Sequence, residues 1–137
     1  MIDFNYETDF KLVNETQLIN WILSCIENDN FKGGKINYIF CNDAYLHKLN
    51  VEFLQHDTYT DIISFDNTLG KIINGDIFIS VERVKENAAT YTSSFDVELH
   101  RVMIHGVLHY MGYKDKSNEE KQRMREKENQ CLRLLNN

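Results

Sequence analysis

In His105-Gly106-Val107-Leu108-His109 two imidazoles stand four residues apart inside a helical pattern of apolar residues. On an α-helix that spacing stacks them on one face, about 6 Å of rise apart, where two neutral rings can grip one divalent cation. The zinc-peptidase form of the pattern, HExxH, carries its general base directly after the first histidine. Here that position is Gly106, so the helix lacks the peptidase base. A bare HxxxH is short and common, and it describes equally well two polar residues beside a core. A third ligand has to come from elsewhere. Gly112 lets the chain leave the helix, and Asp115 follows soon after His109. Three protein ligands would leave one position open for a metal-bound water, the catalytic form of such a site. His47 and His56 compete for the third position. His100 lies roughly 140° around the helix from His105 and points elsewhere.

The elements that must carry these residues are short. Ile2-Asp3-Phe4-Asn5-Tyr6 alternates like a half-buried strand. Asn14 and Gln17 read as a helix cap and its reciprocal partner before Leu18, Ile19, Ile22, Leu23 and Ile26. Gly33-Gly34 reads as a turn, Ile36–Phe40 as a second strand, and Asn42 or Asp43 as the cap of a second helix. Asp61–Phe65 and Asp76–Ser80 are β-rich runs separated by Asn67, Gly70 and Asn74-Gly75, which predicts a hairpin with a longish loop. Ser80 caps a third helix through Val81, Val84 and Ala88. Ser93 or Ser94 caps a fourth, from about Phe95 to Met111, that Gly112 ends. Ser117-Asn118-Glu119-Glu120 is a capping box that opens a last helix to about Leu135. The expected fold is a single α/β (α+β) domain over residues 1–137. It has a small mixed sheet of about four strands, about five helices and a metal cleft at the HxxxH helix.

The composition sets outer bounds. The 137 residues, 42% hydrophobic and 26% charged, are those of one globular core. No apolar run approaches the roughly 20 residues that span a bilayer, and the first residues lack the basic and apolar regions of a signal peptide. Cys25, Cys41 and Cys131 are scattered and form no CxxC, so they read as small buried apolar residues in a reducing cytoplasm. The net charge of −6 argues against indiscriminate coating of nucleic acid. The charge is uneven, however: residues 1–30 hold six acids and one base, and residues 100–137 hold eight bases and five acids. A polyanion would meet the C-terminal part.

Four segments in order carry a resemblance. His105-Gly106-Val107-Leu108-His109-Tyr110-Met111-Gly112-Tyr113 is similar to the HGxLHxxGYDH signature of the YbeY family of metal-dependent endoribonucleases. Thr60–Phe65 resembles that family's TDVLSF, preceded at a suitable distance by Leu49-Asn50; Gly75-Asp76-Ile77 matches its GDI, and Glu98-Leu99 its EL pair. The resemblance implies a zinc-dependent hydrolase, with manganese or magnesium as lesser alternatives. Its substrate would be single-stranded RNA, and its setting the maturation and quality control of small-subunit ribosomal RNA beside assembly factors. His105, His109 and Asp115 would hold the metal. Asp61 and Ser64 would border the cleft as catalytic candidates, each also readable as a turn or backbone-bonding residue.

Three departures fall on this pattern. Lys114-Asp115 stands where the signature has Asp-His, so the third ligand is a carboxylate that lowers the site's charge by one and favours harder ions. Leu54 replaces an arginine suited to a scissile phosphate; Arg101, one turn before His105, and Lys114 are the candidate substitutes, with Lys116 more readily a solvated charge. Tyr59 and Asp66 replace prolines. Two rival readings follow: another metallohydrolase such as a peptidase, or a non-catalytic assembly factor that retains the metal.

Overall fold

The computed structural model describes residues 1–56 and 58–135. Nine elements follow in order: β1 (Ile2–Tyr6), α1 (Glu15–Asn28), β2 (Lys32–Cys41), α2 (Asp43–Leu54), β3 (Ile62–Asp66), β4 (Ile72–Ser80), α3 (Val81–Thr90), α4 (Phe95–Tyr110) and α5 (Asn118–Leu135). The sheet order is β1-β2-β4-β3, parallel except where β3 runs antiparallel to β4. The mixed sheet and the expected hairpin are therefore both present. No helix is long and apolar enough to cross a membrane.

The core lies between the sheet and the helices. Ile36, Tyr38, Phe40, Ile73, Ile77 and Ile79 point from β2 and β4 into it at two-residue spacing and are fully buried. They meet Leu18, Ile22 and Ile26 of α1 and Leu99, Met103, Ile104 and Val107 of α4. Helix α4 is apolar over most of its circumference because it runs between the sheet and the outer helices. It approaches the sheet closely at Gly106. A β-carbon there would sit 3.1 Å from the methyl ends of Ile62 and Ile77. The three cysteines are free and buried, as their scatter implied.

Most caps fall where the side chains indicated. Asn42 accepts from the Tyr45 amide, Ser80 from Arg83 and Ser94 from Val97. Three readings need correction. Asn14 makes no side-chain bond to the helix backbone; its amide donates instead to Gln17 Oε1. Gly33 and Gly34 are not a turn but part of β2, at a register shift between Gly33 and Ile36. The turn itself is made by Asn30 at φ 64°. Space is short at both: a β-carbon on Gly33 would displace the Leu23 side chain, and one on Gly34 would meet Asn74 and the fixed Ile73 carbonyl. Asn74-Gly75 likewise lies within β4, so the hairpin loop is tighter than expected and turns at Gly70, φ 60°.

The end of α1 is tied to α5 by Asp29, which accepts from Lys127 Nζ and from the Tyr113 hydroxyl, each at 2.7 Å. Burial pushes the Asp29 carboxyl up, but those two donors outweigh it and leave it below its ordinary value of 3.8. A carboxylate so depressed stabilises the fold above its unfolded pKa, and that contribution is lost as pH falls through the folded one. Asp29→Asn is expected to cost about 1–2 kcal/mol at neutral pH. Urea unfolding at descending pH should show the gap to wild type closing as the pH falls below the ordinary carboxyl value. A gap independent of pH would contradict this assignment.

Candidate metal centre

Arg101, His105 and His109 form a polar stripe on α4, spaced a turn apart. Ser94 and the acids of the first turn start this helix, and a Schellman turn ends it. The Tyr113 amide donates to the Leu108 carbonyl and the Gly112 amide to that of His109, with Gly112 in the left-handed region at φ 100°. Four residues later the next helix is already fixed. The Ser117 amide donates to Glu120 Oε1 at 2.9 Å and the Glu120 amide to Ser117 Oγ at 3.1 Å, the reciprocal pair expected of the capping box. Asp115 is held between these two devices and folds back over the histidines.

The result is a triangle of acceptor atoms. His105 Nε2 and His109 Nε2 are 3.0 Å apart, and Asp115 Oδ2 is 3.3 Å from each. Ligands about 2.0–2.1 Å from a tetrahedral ion are about 3.3–3.4 Å from one another, so the triangle has the size of one face of such a site. Among the described residues this is the group of three that could hold a metal ion. His47 is stacked on Tyr59, His100 packs edgewise on Trp21 and His56 is exposed, so the competing histidines lie elsewhere.

A fourth residue, unmarked in the sequence reading, fixes the geometry. Glu128 of α5 reaches His105 Nδ1 with Oε2 at 2.6 Å and takes Arg101 Nη1 on Oε1 at 3.0 Å. Its side chain is only 6% exposed. Burial would raise this carboxyl, yet His105 and Arg101 hold it below its ordinary value. The same bond works on the imidazole. Burial lowers His105, but Glu128, with Asp115 and Asp61, leaves it raised. With Nδ1–H donated to Glu128, a neutral His105 keeps its lone pair on Nε2, facing His109 and Asp115. One signal was available: Glu128 lies on the face of α5 that buries Met124, Cys131 and Leu132, where a charge needs a partner.

The remaining candidates separate. Asp61 and Arg101 line a cavity of about 240 Å³ together with Glu98 and His105. Burial holds the Asp61 carboxyl above its ordinary value, against His105 and Asn87, which pull it down. Arg101 is committed to Glu128. Ser64 is exposed on β3 toward Tyr110, one residue along from His109. Lys114 lies beside a different cavity, of about 580 Å³, with Lys71 and Arg123. Leu54 is the last residue of α2 and is 43% exposed.

Comparison with known proteins gives this arrangement a context. The family model described as Endoribonuclease YbeY matches residues 2–136. A protein of that name from Flavobacterium johnsoniae is 55% identical over 135 residues, covering 98% of this chain and 97% of its own. Its namesake from Flavobacterium psychrophilum is 56% identical, covering 98% and 96%, and that from Christiangramia forsetii 54%, covering 98% and 94%. The solution structure of a Thermotoga maritima protein superposes with a TM-score of 0.74 at 25% identity, covering 98% of this chain and 89% of that one.

The Glu128 contact makes a test of the site. Glu128→Gln should weaken zinc binding about 10- to 100-fold, as loss of a ligand's orienting partner does. Competition against a chromophoric chelator measures it. Wild-type affinity in the variant would remove Glu128 from this role.

Proposed function

The chain belongs to the Endoribonuclease YbeY family and is an endoribonuclease, a hydrolase; on that premise we propose that it cuts single-stranded RNA at a zinc centre held by His105, His109 and Asp115. The triangle of His105 Nε2, His109 Nε2 and Asp115 Oδ2 carries this reading. Two imidazole nitrogens with one carboxylate are a donor set that suits zinc better than magnesium, which prefers oxygen ligands. We place the reaction in maturation and quality control of small-subunit ribosomal RNA, beside assembly factors, in the cytoplasm. The domain responsible is the whole of residues 1–137.

Bound there, zinc supplies Lewis acidity to a water and to a phosphate oxygen. The rest falls to this chain's own side chains. Glu128 keeps the His105 ring turned and its Nδ1 proton engaged. Asp61, raised by burial and within the cavity beside His105, is the carboxyl suited to accept a proton. Ser64 and Lys114, both exposed, are the weaker candidates for contact with substrate. Arg101 acts through Glu128, because its guanidinium is already paired. A peptidase reading gains nothing from the geometry: the position of the peptidase base, Gly106, is turned into the sheet against Ile62 and Ile77.

Metal analysis of purified protein should return near one equivalent of zinc, falling sharply in His105→Ala. The loaded wild type should cut an unstructured RNA oligonucleotide and leave casein intact, and His109→Ala should lose at least about 100-fold in rate. Equal cleavage by wild type and His109→Ala would dismiss the metal centre. A zinc-loaded wild type inert toward RNA would favour the assembly-factor reading.

A further inference from the structure

Tyr59 is 58% exposed, a large aromatic ring left open two residues before Asp61. Its ring lies on His47 of α2, centroids 4.5 Å apart and planes 16° from parallel. The Arg83 guanidinium of α3 lies 5.6 Å from its centroid. Arg83 also bonds Asp43 Oδ2 at 2.8 Å, and Asp43 is one turn before His47 on α2. Both supports come from α2 and α3, and an exposure of 58%, more than two covered faces would leave, keeps one face of the ring open to solvent.

We infer that the open face of Tyr59 is a stacking platform for one nucleobase of the single-stranded substrate, next to the scissile position. The inference rests on the nuclease reading above and adds a base-binding subsite to it. Three observations carry it. The ring is held in place without being buried, since segment 58–61 is anchored independently of it. Asn50 donates to the Thr58 carbonyl at 2.8 Å, and Asn87 reaches Asp61 Oδ2 at 3.4 Å. The ring is near the chemistry, because Tyr59 precedes Asp61 by two residues, at most about 7 Å of extended chain, and Asp61 shares a cavity with His105. The site is suited to a base and not a phosphate, because Arg83 is already paired with Asp43 and with Glu86, at 2.8 and 2.6 Å. Stacking on an aromatic face is the common means of holding unpaired bases, and it tolerates any sequence.

The test compares zinc-loaded wild type, Tyr59→Phe and Tyr59→Ala on an unstructured RNA oligonucleotide, and on copies carrying one abasic nucleotide at each position in turn. Tyr59→Ala should raise KM about tenfold with kcat within about twofold, and Tyr59→Phe should behave as wild type. One abasic position should cost the wild type about tenfold and cost Tyr59→Ala nothing. Zinc content and urea midpoint should be equal in all three. Superimposable abasic profiles in wild type and Tyr59→Ala would overturn the inference, leaving the ring as a surface for a protein. Should the wild type leave the RNA uncut, the nuclease reading falls by itself. The same uncut oligonucleotides, followed by fluorescence anisotropy, then decide the subsite by the same comparison.

Discussion

The bond between Glu128 and His105 is the contact on which the centre depends. A carboxylate 6% exposed is costly to bury, and it is tolerated because both oxygens are used, one by His105 and one by Arg101. Those partners are a turn apart on α4, so Glu128 sets the rotation of α5 about α4 as well as the orientation of one ring. The apolar packing around it repeats the same placement. Trp21 of α1 donates to the Cys131 carbonyl at 2.6 Å, and Met124 and Leu132 are buried on either side of Glu128. A small shift of α5 would therefore turn His105 away from His109 and Asp115 while leaving each helix intact.

The third vertex obeys a different constraint, the shortness of the chain between two helices. Within residues 112–117 the Schellman turn and the capping box each use up local backbone groups. What remains is too short to carry Asp115 away from the end of α4. Local chemistry of this kind is what a sequence displays most openly. Gly112, Ser117 and Glu120 announce their roles because their partners are within five residues. The hairpin and the histidine pair were legible on the same ground. Gly33-Gly34 was misread because its reason is non-local: the residues that a β-carbon there would meet, Leu23 and Asn74, come from other elements. The role of Glu128 was harder to read for a related reason, its place on an apolar helix face being the one signal of it. Its partner is 23 residues away on another helix, and no short-range pattern joins them.

Electrostatics then limits how RNA can approach. Asp61, Glu98, Asp115 and Glu128 cluster around His105, and the cations near them, Arg101 and Arg125, are spent on Glu128. On a chain of net charge −6 this pocket repels a phosphodiester until a divalent cation occupies it. The Asp115 carboxylate deepens that repulsion and, as the third ligand proposed above, would strengthen the hold on a cation. The leucine at position 54 stands where the pattern it resembles has an arginine, so no guanidinium comes from the end of α2. Affinity for the strand must then come from the ion itself, from the basic C-terminal surface at a distance, or from contacts that need no charge. An open ring at Tyr59, where that pattern has a proline, supplies a contact of the last kind. Attraction by stacking is insensitive to an acid excess, which is why such a platform can serve a strand on this acidic chain.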